Sequence, residues 1–90
     1  MIVEIYSKND CPYCVSAESI CKQNPILIDY TKFMLNEDFT REQLFEKFPT
    51  ARTFPQIVID DEPIGGFTEF KAIIDNRRNK YKNNTFFVEE

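Results

Sequence analysis

The chain has 90 residues, with fifteen acidic and eleven basic side chains, a net charge of −4 and no histidine. That is enough for one domain with a modest core, and the acidic balance argues against partners built on a phosphate backbone or an anionic membrane surface. No apolar run approaches the roughly 18 to 20 residues that span a bilayer, and the N-terminus lacks the basic-then-apolar layout of a secretory signal, so a cytoplasmic protein is expected.

Ile2-Val3-Glu4-Ile5-Tyr6 is a β-branched run with the length of a first strand. A polar turn over Ser7 to Asp10 follows. Cys11 then stands at the N-cap of a helix with Pro12 at its first position, where a missing N–H costs nothing. Ala17, Ile20 and Cys21 are spaced for a core-facing stripe, with Cys21 read as a core residue. The helix is expected to stop before Asn24-Pro25, because the residue before a proline is pushed out of helical geometry.

The pair Cys11 and Cys14 admits two chemistries. Near the start of a βαβ pattern the C-x-x-C spacing reads as a redox dithiol, and elsewhere it is more often half of a zinc site. With no histidine and three cysteines, a tetrahedral zinc site within the chain is one ligand short. No metal is expected, although a metal shared between two chains stays open at this point.

Ile26-Leu27-Ile28-Asp29-Tyr30 reads as a second strand, parallel to the first through a right-handed crossover. Thr31 to Asp38 reads as a loop. Thr40 and Gln43 form a capping box at the next helix, with Phe39 and Leu44 as its hydrophobic staple. Leu44, Phe45 and Phe48 are assigned to one face, and Pro49 ends the helix. A loop over Thr50 to Phe54 leads to a third strand over Pro55 to Asp60, with proline at its first position. Asp60-Asp61-Glu62 turns the chain into Pro63-Ile64, a fourth strand antiparallel to the third.

Gly65 and Gly66 are the only glycines in the chain, so their adjacency marks a place of unusual backbone or close approach. A last helix is expected with Thr68 as N-cap, Phe70, Ile73 and Ile74 on its buried face, and Arg77, Arg78 and Lys80 near its end. Residues 79–90 read as a polar tail carrying Phe86-Phe87-Val88, which leaves a domain over residues 1–78.

Four motifs in this order carry a resemblance: Lys8 three residues before Cys11, the dithiol Cys11-Pro12-Tyr13-Cys14, the run Thr53-Phe54-Pro55-Gln56-Ile57, and Gly65-Gly66-Phe67-Thr68-Glu69-Phe70. Over about residues 1 to 78 the chain resembles the glutaredoxins, most of all the small dithiol forms of bacteria and phages. The resemblance implies an α/β, thioredoxin-like fold of order βαβαββα, a four-stranded mixed sheet flanked by three helices, with Pro55 in the cis form. It also implies a glutathione-dependent thiol-disulfide oxidoreductase that acts on protein disulfides and glutathione mixed disulfides.

At a helix N-terminus beside Lys8, Cys11 is set to be a thiolate, since such surroundings bring cysteine pKa values to roughly 3.5 to 7.5. It is assigned as the nucleophile, and the shielded Cys14 as the resolving thiol. For glutathione, the resemblance implies Lys8 against the glycyl carboxylate, the backbone of Phe54 before Pro55 pairing with the extended tripeptide, and Thr68 with Glu69 at the γ-glutamyl end. Tyr13, Thr53, Gly66 and Phe67 complete the expected groove. Two positions depart from the usual pattern: Phe54 stands where valine is usual before the cis-proline, and the second helix offers Arg41 and Glu42 where Arg or Gln often meets the glycyl carboxylate. The expected partners are glutathione and disulfide-containing proteins, ribonucleotide reductase among them, for a monomeric protein. Two other readings stand beside this one: a carrier of an iron-sulfur cluster held between two chains and two glutathiones through Cys11, and a glutaredoxin-like protein reduced by thioredoxin reductase.

Overall fold

The computed structural model describes residues 1–77; the expected tail, and with it Arg78, Lys80 and the Phe86-Phe87-Val88 patch, lies outside the described residues. The elements run β1 (Ile2–Ser7), α1 (Pro12–Gln23), β2 (Asp29–Met34), α2 (Arg41–Lys47), β3 (Gln56–Ile59) and β4 (Glu62–Gly65), followed by a helix α3 over 67–77. The four strands form one sheet in the order β2-β1-β3-β4. β1 and β2 are parallel, and β1 with β3 and β3 with β4 are antiparallel. This is the thioredoxin-like architecture, with three helices on the sheet.

Alternation along the two central strands divides the interior into two layers. On one face Val3, Ile5, Ile57 and Ile59 pack with Ala17 and Cys21 of α1 and with Phe70 and Ile74 of α3. On the other face Val58 packs with Phe39, Leu44 and Phe48, which bring in α2. β3 is buried along its whole length because it is covered on both faces, which explains the apolar run Ile57-Val58-Ile59. Removing a fully buried ring such as Phe70 should cost about 3 to 5 kcal/mol.

Four expectations need correction. The second strand is Asp29–Met34 rather than Ile26 to Tyr30. In the parallel register on β1, Ile2 pairs with Asp29 and Ser7 with Met34. The residues before it return the chain along the molecule: Ile28 N–H donates to Asn24 O at 2.9 Å, the Met1 ammonium donates to Leu27 O at 2.7 Å, and Ile26 is fully exposed. Consequently Thr31 to Met34 are strand rather than loop, and Leu35 bridges to Phe39 beyond them. Phe45 is 47% exposed and does not share the buried face of Leu44, because only one side of the short α2 meets the sheet. Finally, α3 begins at Phe67, so the cap position falls on Gly66, and Thr68 lies within the first turn.

Elsewhere the local signals fold as read. Thr40 and Gln43 make the reciprocal capping box, and Phe39 and Leu44 lie together in one cluster. The Phe54-Pro55 peptide is cis, as the resemblance rather than any local signal implied.

Candidate active site

The site is assembled at the C-terminal end of β1. Asp10 takes the left-handed conformation at φ 56°, which Asp tolerates better than most residues, and turns the chain into α1. Cys11 is the N-cap of α1 and Pro12 its first residue. The Cys11 sulfur therefore occupies the place of a capping oxygen, where it accepts the Cys14 N–H at 3.2 Å. Cys11 and Cys14 form a disulfide, their Cα atoms 5.2 Å apart. The two cysteines differ in exposure: Cys11 is 8% exposed and Cys14 1%. An incoming thiolate meets Cys11 first, and after reduction the first-turn N–H groups and the helix dipole favour negative charge at the Cys11 sulfur.

Around this pair the expected groove residues fall into three small groups. Tyr13 stacks on Phe67 with centroids 5.4 Å apart, which joins the dithiol turn to the start of α3. Gly66 lies against the cis-proline loop, where a β-carbon would come within 3.4 Å of Pro55 O and 3.8 Å of Thr53 Oγ1. Gly65, at φ 111°, has a backbone that other residues rarely adopt. The Gly66 N–H donates to Glu69 Oε1 at 2.8 Å, and the Phe70 N–H donates to Gly66 O at 3.1 Å, so Glu69 closes the helix start at the third position. Thr68 stands exposed in the same turn. Across the loop, Lys8 Nζ lies 5.7 Å from the centroid of the Phe54 ring and the Arg41 guanidinium 6.0 Å from it. The Gln56 side-chain amide donates to Thr53 O at 2.7 Å and holds the loop in place.

A cleft of about 600 Å³ opens beside the dithiol on the β2 side, lined by Lys8, Cys11, Val15, Lys32 and Met34 among others. Phe54, Pro55, Gly66 and Thr68 do not line it. Val15, Lys32 and Met34 were not anticipated from sequence. Lys32 and Met34 lie in the stretch whose strand was misplaced, and Val15 is an exposed residue on α1 with no motif to mark it. Cys21, 1% exposed under the sheet, has its thiol pushed up to about 11 by burial and then by the nearby Glu18 carboxylate. It is the free cysteine of the chain and belongs to the core.

Among the described residues no cluster of three or more acidic or cysteine side chains could hold a metal ion, and no helix is long and apolar enough to cross a membrane.

Comparison with known proteins follows the same outline. A family model described as Glutaredoxin matches residues 3–64. The glutaredoxin of Haemophilus influenzae is 37% identical over 79 residues, covering 82% of this chain and 91% of the relative. Among solved structures, glutaredoxin 1 of Francisella tularensis in complex with cacodylate has 39% identity and a TM-score of 0.64, covering 87% of this chain and 96% of that one. The reduced glutaredoxin of Escherichia coli gives a TM-score of 0.75 at 30% identity, covering 88% of this chain and 99% of that one.

Proposed function

This chain belongs to the glutaredoxin family of glutathione-dependent thiol-disulfide oxidoreductases, and from that premise we propose how its own residues divide the work. Cys11 is the nucleophile. As a thiolate it attacks one sulfur of a substrate disulfide, forms a mixed disulfide and releases the other sulfur as a thiolate that takes up a proton. Cys14 resolves the intermediate on protein substrates: its thiolate attacks the Cys11 sulfur, the Cys11–Cys14 bond forms, and the second substrate thiol leaves reduced. Two glutathiones then return the pair to dithiols and leave as glutathione disulfide. The observation that carries this division is the unequal exposure of the two cysteines, 8% against 1%.

For glutathione, Lys8 supplies a cation for the glycyl carboxylate. The backbone of Phe54 pairs with the extended tripeptide, and the Thr68 N–H and hydroxyl serve the γ-glutamyl carboxylate. Glu69 serves the amino group, while Tyr13 and Phe67 wall the groove beside Thr53, Pro55 and Gly66. The contacts already linking Tyr13 to Phe67 and Gly66 to the Thr53-Pro55 loop support a common groove. We extend the reading to a monomeric, cytoplasmic protein that passes electrons to ribonucleotide reductase.

The discriminating experiment compares two reductants of the oxidised chain: glutathione with glutathione reductase and NADPH, and thioredoxin reductase with NADPH. Reduction by the first and not the second is expected, with oxidised ribonucleotide reductase as one of the protein acceptors. Reduction by thioredoxin reductase alone would overturn the glutathione groove, and failure of that acceptor alone would remove only the named substrate.

A further inference from the structure

Ser7 is wholly buried at the end of β1, and among the described residues its hydroxyl has no hydrogen-bond partner. A buried polar group without a partner costs free energy and asks for an explanation. Its position supplies one. Val3, Ile5 and Ser7 are the residues of β1 that point to the α1 side of the sheet, as the alternating burial of the strand shows. α1 turns back from the end of β1 and runs in the opposite direction, and its buried residues are Cys14, Ala17 and Cys21. A strand advances about 6.6 Å in two residues and a helix about 4.5 to 6 Å in three or four. Counted from the turn that joins them, Ser7 and Cys14 are thus the first inward residues of their elements.

We propose that the Ser7 hydroxyl is the hydrogen-bond partner of the Cys14 sulfur in the reduced protein, and that it shifts the dithiol-disulfide equilibrium toward the reduced form. In the disulfide the Cys14 sulfur is bonded to Cys11, has neither a proton to donate nor a charge, and makes no hydrogen bond with Ser7, which leaves the hydroxyl unpaired as observed. In reduction two thiols of the reductant give up two electrons and two protons: the S–S bond breaks, each cysteine sulfur gains a proton, and the reductant leaves as its disulfide. The Cys14 sulfur can then donate its proton to Ser7 Oγ or, as a thiolate, accept the Ser7 O–H. Reduction therefore satisfies a group that oxidation strands. Ser7 acts through Cys14 and is a positioning residue for it.

The inference rests on the reading of Cys11 and Cys14 as a working redox couple but not on which reductant serves it. The equilibrium is therefore measured in dithiothreitol buffers as well as in glutathione buffers. One hydrogen bond corresponds to about a three- to tenfold shift, so Ser7→Ala should favour the disulfide by about that factor, a tenfold change being about 30 mV for this couple. Ser7→Thr, which keeps the hydroxyl, should stay within about twofold of the unmodified chain on the same scale. Thermal unfolding gives a second readout: Ser7→Ala should lower the melting temperature of the reduced form and leave that of the oxidised form unchanged or raised. If Ser7→Ala fails to fold, Ser7→Thr against Ser7→Val makes the same comparison of hydroxyl with methyl. Equal shifts in the hydroxyl-bearing and hydroxyl-free variants, an unchanged equilibrium in Ser7→Ala, or equal destabilisation of both redox forms would each overturn the proposal. Failure in glutathione buffers alone, with the expected shift in dithiothreitol, would count against the glutathione reading instead.

Discussion

Glu69 Oε1 accepts the Gly66 N–H at 2.8 Å, so the carboxylate proposed to meet the amino group of glutathione also holds the first turn of α3. The two duties separate by substitution. Glu69→Gln keeps an oxygen for the Gly66 N–H and removes the charge, whereas Glu69→Ala removes both. Loss of the cap should cost about 0.5 to 2 kcal/mol in Glu69→Ala, measured by denaturant unfolding, with a smaller loss in Glu69→Gln. The KM for a glutathione mixed disulfide should rise in both. A KM unchanged in Glu69→Gln would confine Glu69 to the cap.

The unequal burial of the two active-site cysteines makes their roles separable. Cys11→Ser should abolish reduction of both protein disulfides and glutathione mixed disulfides. Cys14→Ser should lose protein-disulfide reduction and keep the release of glutathione from a mixed disulfide, because there glutathione itself resolves the intermediate. Parallel assays on an oxidised protein and on a glutathionylated peptide check this. Equal loss of both activities in Cys14→Ser would contradict the assignment.

The dithiol was legible in the sequence because its chemistry is local: Cys11 as N-cap, Pro12 as first residue and Cys14 one turn inward all follow from four consecutive positions. The capping box at Thr40 and Gln43 is local in the same way. β2 was misplaced because an edge strand pairs on one side only and needs no apolar run. Its sequence alternates poorly, while the more apolar Ile26-Leu27-Ile28 serves a turn. The start of α3 was misplaced by two residues because Thr outranks Gly as a cap by side chain alone. Glu69, three residues after Gly66, was the signal for the true start. The cleft of Val15, Lys32 and Met34 depends on β2 passing beside the dithiol, a tertiary fact with no trace in spacing.

Cys21 gives a prediction in which the sign of the pH effect matters. Burial raises its thiol from 9.0 to about 11 in the folded chain, so between these values the unfolded chain loses a proton that the folded chain keeps. The contribution is fully present below about 9 and is lost as pH rises through about 11. Tyr6 and Tyr30, raised mainly by burial, add slopes of the same sign. Urea unfolding of Cys21→Ala beside the unmodified chain isolates the cysteine: the alanine variant should show a shallower fall in stability across that range. In the reduced chain, iodoacetamide at about pH 8 should label Cys11 and leave Cys21 untouched unless the protein is unfolded. Rapid labelling of Cys21 in the folded state would contradict its burial.

Two cations share one ring beside the proposed glutathione groove, Lys8 at 5.7 Å and Arg41 at 6.0 Å from the Phe54 centroid. The ring fixes their directions through contacts of about 0.5 to 1 kcal/mol each at exposed sites. Their charges are left to attract an anionic ligand, an attraction that salt screens over roughly 8 to 10 Å at ordinary ionic strength. Lys8→Ala should therefore raise the KM for a glutathione mixed disulfide about three- to tenfold with little change in kcat, and should flatten the dependence of KM on salt. Phe54→Val leaves both cations in place but frees them, so its KM should rise less and its salt dependence should persist. Arg41→Ala tests whether the α2 cation takes part: a KM and salt slope like those of the unmodified chain would leave Lys8 as the sole charge acting on glutathione. Steady-state kinetics at several salt concentrations reads all three. A KM increase in Lys8→Ala with an unaltered salt slope would mean that the lysine acts through packing on Phe54 rather than through charge.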